Sequence, residues 1–415
     1  MKVGMLIVAT EILEGKINDL NGRYLSEFLR PFHLAVETSV TVRDIEQDIH
    51  SALDHLLKHC DLIVTSGGLG PTKDDLTKDS LGTYLGRRCA FSETANTVAL
   101  ENYRRFDRDY PGKEHVYSQM PEDFLPLSNS MGMAPGLFVQ HIDKHLICAP
   151  GVPREFKAIL NDHLAPWIKK HYLPNEFTEN VVARTRGVPE EKIFGEVDSG
   201  LWQCLSTFGD VSSLPNPLGV DIGVKVKAES DRELKEKIAS LLAVFSASPI
   251  SSSIWHTGFE KLEEIIVKMA NQHNITYGFA ESCTGGLCSH KMTAVPGSSQ
   301  TFLGSIISYD TQVKINSLKV DPSIIEKHGV VSTQTAEAMA EGLAKGLGLE
   351  VAISTTGIAG PTGGSEKDPV GTVCIGIYSK GRSKSQRHNF KGDREGLKER
   401  FAQAALFALF EELRS

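Results

Sequence analysis

The chain has 415 residues, which predicts two to three domains, each large enough for its own core. Its 40% hydrophobic and 23% charged residues, with 37 Gly and 18 Pro, exclude collagen-like, low-complexity and compositionally disordered classes. Lys plus Arg number 44 against 52 Asp plus Glu, a net charge of −8, so there is no global basic footprint for nucleic acid.

Apolar runs are too short to span a bilayer, and no membrane partner is expected. Residues 3–9 are apolar, but Glu11 follows with no small-residue cleavage site, so the start reads as a buried strand rather than a signal peptide. A helix is expected over 21–29, a β-branched strand over 34–42, and a helix whose apolar face carries Ile45, Ile49, Ala52, Leu53, Leu56 and Leu57. Residues 61–66 form a short apolar strand running into Gly67-Gly68-Leu69-Gly70-Pro71. A strand over 145–149 then leads through Pro150-Gly-Val-Pro153 into a helix reaching Trp167. This βαβ rhythm predicts a mostly parallel, doubly wound sheet.

From about 175 to 253 the pattern changes to a small α+β module, with a turn at Leu214-Pro-Asn-Pro217, a strand over 220–228 and a helix over 231–243. The charges from Asp231 to Lys237 read as that helix's solvated face, and the five serines in 246–253 read as a linker. Beyond about 258 the α/β character returns, with a helix over 260–271, strands over 275–280, 351–354 and 372–378, and a closing helix over 394–413. The expected fold is therefore α/β: two α/β domains, 1–172 and 254–415, joined by an α+β module at 173–253. The seven cysteines are scattered without a Cys-x-x-Cys pair, which fits reduced thiols in a cytoplasmic protein better than zinc or disulfide frameworks.

Two constellations carry chemistry. In the first, Gly67, Gly68, Gly70, Thr72 and Lys73 follow a strand and suit an anion cradle. The carboxylates Glu11, Asp44, Asp74 and Asp75 also follow strands and are expected to converge on a divalent cation bridging phosphates. The competing reading is a tight strand-to-helix turn with Asp74 or Asp75 as a helix cap. In the second, Glu281-Ser282-Cys-Thr284-Gly285-Gly286 opens a helix, and Thr356 and Gly357 begin a second glycine-rich loop whose amides suit an oxyanion. No histidine is placed for a Ser-His-Asp triad, but lysine can serve as base when burial lowers its pKa. Ser299, Tyr309 and Lys314 thus suggest a Ser-Tyr-Lys amidohydrolase; the plainer alternative is a helix cap, a half-buried ring and a solvated lysine.

Several of these motifs resemble the CinA (competence/damage-inducible protein A) family. They are Ala9-Thr-Glu-Ile-Leu-Glu-Gly, Gly-Gly-Leu-Gly-Pro-Thr-Lys-Asp-Asp-Leu-Thr and Pro-Gly-Val-Pro-Arg-Glu in the first domain. In the last they are Glu-Ser-Cys-Thr-Gly-Gly, Val-Pro-Gly-Ser-Ser, Tyr-x4-Lys, His328-Gly-Val-Val-Ser, Thr-Gly-Ile-Ala-Gly-Pro and Lys367-Asp-Pro-Val-Gly-Thr. The resemblance implies a molybdopterin-binding-like first domain that cleaves the ADP-ribose pyrophosphate with a divalent metal, Asp44 and Asp75 being the matching acidic positions. The family pattern has Gly where Ala9 stands and Asn-Thr-Asn where this chain has Asp19-Leu20-Asn21. Those departures leave a second role open for that domain, a non-catalytic nucleotide or pterin sensor.

The last domain, by the same resemblance, deamidates nicotinamide mononucleotide without a cofactor. Ser299 would be its nucleophile, Tyr309 and Lys314 the groups that activate it, and Ser282, Thr356 and Arg394 substrate contacts. Arg394 suits a phosphate because a guanidinium fork matches its oxygens. The implied partners are the two small nucleotides and a second copy of the chain, while the charge balance gives no support for a nucleic-acid partner.

Overall fold

In the computed structural model, which describes residues 1–216 and 218–415, the chain forms two compact units. One comprises 1–179 with 226–237, and the other 180–225 with 238–415. The first contains strands β1 (Val3–Val8), β2 (Val36–Val42), β3 (Leu62–Ser66), β4 (Cys89–Phe91), β5 (Gln119–Pro121), β6 (Leu125–Leu127), β7 (Gly136–His141) and β8 (Lys144–Ala149). Six of them make one sheet in the order β2-β1-β3-β8-β7-β6. The first four are parallel, and β7 and β6 add an antiparallel edge.

β1 is buried along its whole length because both of its faces are covered. Leu6 and Val8 pack with Ile49, Leu53 and Leu56 of the helix Glu46–His59. Val3, Met5 and Ile7 pack with Leu25 and Leu29 of the helix Asn21–Leu29 and with Phe156 and Ile159. The doubly wound sheet is thus present. The strands on either side of β1 diverge in chain order, and the crevice at the carboxyl ends of β1 and β3 is where such sheets bind ligands.

A second sheet, ordered β10-β11-β9-β12, is built from β9 (Phe177–Thr185), β10 (Gly209–Pro215), β11 (Val220–Ala228) and β12 (Ile254–Thr257). The turn expected at 214–217 ends on Pro217, which lies outside the described residues, and as far as Pro215 the chain is strand. The serine-rich stretch is not a free linker. The helix Asp231–Ala247 takes in its first residues, Ser248 donates to Asp198 at 2.6 Å, and Ile250 is buried.

The third sheet has the order β14-β13-β15-β16-β17, from β13 (Tyr277–Glu281), β14 (Phe302–Ile307), β15 (Val351–Gly357), β16 (Thr372–Ser379) and β17 (Arg382–Asn389). β14, β13 and β15 are parallel, while β16 and β17 are antiparallel. Tyr277 and Phe279 face a core built with the helices Leu262–His273, Leu287–Thr293 and Arg394–Arg414. Ala280 and Ala352 face the helix Thr333–Leu347 on the other side. Among the described residues, no helix is long and apolar enough to cross a membrane.

Candidate functional site

The carboxyl ends of β13, β14 and β15 form one edge of the third sheet. Ser282 leaves β13 there, its amide bonded to the Thr355 carbonyl at 3.0 Å, and Ser308 leaves β14 with its amide on the Glu281 carbonyl at 2.7 Å. Asp310 then caps the short helix Thr311–Asn316, accepting from the Gln312 amide, and that helix points Lys314 back under the loop. Lys314 is fully buried rather than solvated. Its Nζ lies 2.6 Å from the Ser308 carbonyl oxygen, 3.4 Å from that of Tyr309 and 3.1 Å from Ser282 Oγ. Burial lowers the pKa of this amine, with Cys283 and Asp310 opposing the shift. A neutral amine has two N–H groups for the two carbonyls and a lone pair left for the Ser282 hydroxyl, which would suit a general base and its nucleophile.

Ser299 is not part of this group. It lies in the turn Ser298–Gln300 that precedes β14, and β14 runs parallel to β13 with Phe302 opposite Tyr277 and Ile307 opposite Glu281. Ser299 therefore sits at the amino end of the sheet, about 16 Å along the strand from the edge that carries Ser282. It is solvent-exposed there, so within the chain it cannot meet Lys314. Tyr309 is at the correct edge but 64% exposed, and its phenol oxygen accepts from Arg394 Nη2 at 3.3 Å instead of serving Lys314. Arg394 opens the closing helix and also donates to the Gly360 carbonyl. Lys398, one turn further on, brings its Nζ within 3.9 Å of where a side chain on Gly285 would begin. Arg394 and Lys398 thus place two cations at the edge where Ser282 emerges, and sequence reasoning missed the second.

Other expected contacts are committed to the fold. The Thr284 hydroxyl and the Gly286 amide both donate to Glu281, and Thr284 also meets Thr355 at 2.9 Å. Thr356 is buried with its hydroxyl on the Val330 carbonyl at 2.8 Å, and Gly357 packs too tightly against Thr372 and Val373 for a side chain. By contrast, the amides of Cys283 and Thr284, immediately after Ser282, donate to no oxygen of the chain among the described residues. Two adjacent free N–H groups beside a serine hydroxyl suit a developing oxyanion.

In the first unit, a cleft of about 740 Å³ opens at the carboxyl ends of β1 and β3. Gly67 and Gly68 adopt positive φ, and a side chain on either would collide with the Val8 carbonyl or with Thr77, so tight packing explains both glycines. The amides of Gly68, Leu69 and Gly70 meet no acceptor among the described residues and remain available to an anion. Thr72 does not, because its amide and hydroxyl both donate to Asp75 at 2.9 and 2.5 Å. Lys73 is exposed and outside the cleft wall.

Glu11, Asp44, Asp74 and Asp75 all line the cleft, but they do not gather as expected. Among the described residues, no three His, Cys, Asp or Glu side chains stand close enough to share a cation. Asp44 is held by the amide and hydroxyl of Thr10 at 2.9 and 2.7 Å. What fits is a cation taking one or two of these carboxylates and completing its shell with phosphate oxygens and water, as Mg²⁺ usually does. Glu155, absent from the expected set, also lines the cleft. It accepts from Asn129 at 2.8 Å, and burial raises its pKa.

Two family descriptions match the two ends of the chain. Residues 259–413 match a family described as "CinA C-terminal domain", and residues 4–170 one described as "Probable molybdopterin binding domain". A "Putative competence-damage inducible protein" of Clostridium novyi (strain NT) is 35% identical over 417 residues, covering 100% of this chain and 99% of the relative. One of the same description in Clostridioides difficile (strain 630) is 34% identical, covering 96% of each. Among solved structures, the protein CinA from Thermoplasma acidophilum, described as of unknown function, is 29% identical over 40% of this chain and 96% of that one, with a TM-score of 0.37.

Proposed function

The chain belongs to the CinA family, and from that premise we propose that its carboxyl-terminal domain is a nicotinamide-nucleotide amidohydrolase. It would convert nicotinamide mononucleotide to nicotinic acid mononucleotide and ammonia. The observation that carries the reading is the buried Lys314 amine 3.1 Å from Ser282 Oγ. Ser282 attacks the carboxamide carbon while Lys314 takes the hydroxyl proton, and the oxyanion is received by the amides of Cys283 and Thr284. Lys314 then delivers the proton to the departing nitrogen, releasing ammonia and leaving the acyl group as an ester on Ser282. Water, deprotonated by Lys314, cleaves that ester and restores the serine. Arg394 and Lys398 supply cations for the 5′-phosphate, and the exposed Tyr309 ring forms the outer wall. The lysine replaces any cofactor in this scheme. The cytoplasm and a homodimer remain part of the reading.

An acyl-enzyme predicts partitioning. With hydroxylamine present, the purified chain is expected to form the hydroxamate of the nucleotide at the expense of the acid, while ammonia release continues. Ammonia release with no hydroxamate at saturating hydroxylamine would argue for direct attack by water. No ammonia from nicotinamide mononucleotide at all would remove the assignment.

For the amino-terminal domain we propose metal-dependent cleavage of ADP-ribose to AMP and ribose 5-phosphate. The three free amides of Gly68, Leu69 and Gly70 favour it, because they share one cleft with Asp44, Asp75 and Glu155. Asp75→Asn is expected to lower Mg²⁺-dependent AMP release at least tenfold, since a cation holder is lost. Saturable ADP-ribose binding without turnover by the unaltered chain would instead favour the sensor role.

A further inference from the structure

We infer that Glu281 is the positioning residue of the deamidase site, its carboxylate holding the loop that carries the nucleophile. The inference rests on Ser282 being that nucleophile. Side chains alternate along β13, so Tyr277, Phe279 and Glu281 fall on one face. The first two enter the apolar core, and Glu281, equally buried, occupies the next position beneath the start of the helix Leu287–Thr293.

Five donors converge on its two oxygens. Oε2 accepts from the Thr284 hydroxyl at 2.7 Å, the Gly286 amide at 2.8 Å and the Cys288 amide at 3.1 Å. Oε1 accepts from the Ser289 amide at 2.9 Å and the Ser289 hydroxyl at 2.6 Å. No Lys, Arg or His forms an ion pair with it among the described residues. Its hydrogen-bond partners are therefore Thr284 and Gly286 of the loop and Cys288 and Ser289 in the first turn of the helix that the loop opens. The Glu281 carbonyl meanwhile accepts from Ser308, the residue whose own carbonyl holds Lys314. One residue thus ties down the loop after Ser282 and the strand end that orients the base.

An acceptor-only group is what this position requires. A carboxylate presents about four lone-pair sites and no hydrogens. Glutamine has the same shape but replaces one oxygen by an NH2 group. Either way it is turned, N–H groups face N–H or O–H donors, and the loop must move to relieve them.

Misplacement of reacting atoms by about 1 Å costs roughly 100-fold in rate. Glu281→Gln is therefore expected to lower kcat for nicotinamide mononucleotide 10- to 100-fold. KM should stay within threefold, because the phosphate cations lie on the closing helix. The acid limb of the pH–rate profile should not move, because Lys314 keeps both carbonyls. Ser289→Ala, which removes one donor of five, is expected to cost threefold or less. A folded Glu281→Gln protein with unchanged kcat would overturn the inference, as would a loss that appears wholly in KM or shifts the acid limb. If Glu281→Gln fails to fold, the Thr284→Val, Ser289→Ala double variant decides. A tenfold fall in kcat supports the positioning role, and an unchanged kcat overturns it. Full activity in Ser282→Ala would be a different failure, that of the nucleophile assignment.

Discussion

Ser282→Ala is expected to reduce ammonia release from nicotinamide mononucleotide at least 1,000-fold, whereas Ser299→Ala is expected to leave it within twofold. Removing a nucleophile leaves only what oxyanion donors and substrate binding contribute, and in serine hydrolases the loss is commonly of order 10⁴ or more. The variant should remain folded. Among the described residues the one partner of the Ser282 hydroxyl is Lys314, which keeps the Ser308 and Tyr309 carbonyls, so the cost to stability is about 1 kcal/mol. It should also keep binding the nucleotide, because the cations of Arg394 and Lys398 are untouched. Ser299 stands at the far end of β14 and solvent already surrounds it, so its hydroxyl has nothing to lose. The pair of variants, assayed side by side with intrinsic fluorescence to follow binding, separates the two serines. Activity lost in Ser299→Ala and retained in Ser282→Ala would reverse the assignment.

That choice between serines shows where sequence reasoning stops. Both follow glycine-rich or strand-end patterns, and a spacing of ten to Tyr309 carries no direction. The missing fact was the strand Phe302–Ile307, which lies at the edge of its sheet, is only half buried and contains Gly304 and Ser305, so neither alternation nor a long apolar run announces it. Once that strand is known to run parallel to β13, Ser299 and Tyr309 must lie at opposite ends. β1 was legible for the opposite reason, since a strand covered on both faces is apolar at every position. The helix Thr333–Leu347 carried its signals openly, with Ser332 accepting from the Thr335 amide and Gly348 at its end, yet its alanine-rich face is a weak apolar stripe. Glu281 was visible as a letter of a motif but not as a role. Its period-two place after Tyr277 and Phe279 was the available clue, because a carboxylate on an apolar face needs donors. The four carboxylates of the first domain, read from their positions after strands, all line one cleft but do not gather at a single point. What the sequence did not show is that threonines hold two of them, Asp44 and Asp75, in place.

Lys314→Met is expected to lower kcat at least 1,000-fold and to remove the acid limb of the pH–rate profile. General-base catalysis contributes about 10²–10⁴, and here one amine serves both half-reactions. The sign of the pH effect follows from burial. A lysine normally titrates near 10.5, and desolvation lowers that value in the folded chain. The neutral amine is the working form, so the rate should fall as pH drops through the lowered pKa; a flat rate between about pH 5 and 9 would argue against a lysine base. The same shift predicts a stability effect. Between the folded and the unfolded pKa the unfolded chain binds the additional proton, so stability rises with pH across that window and is lost as pH falls through it. Methionine has no proton to exchange and should flatten this dependence. It also leaves the Ser308 carbonyl without a donor, at a cost of about 1–3 kcal/mol. Wild type should therefore gain stability relative to Lys314→Met as pH rises toward 10.5, which urea unfolding at a series of pH values measures directly. An unchanged difference across that range would mean that the buried amine does not titrate below its ordinary value, and the proposed base would lose its physical footing.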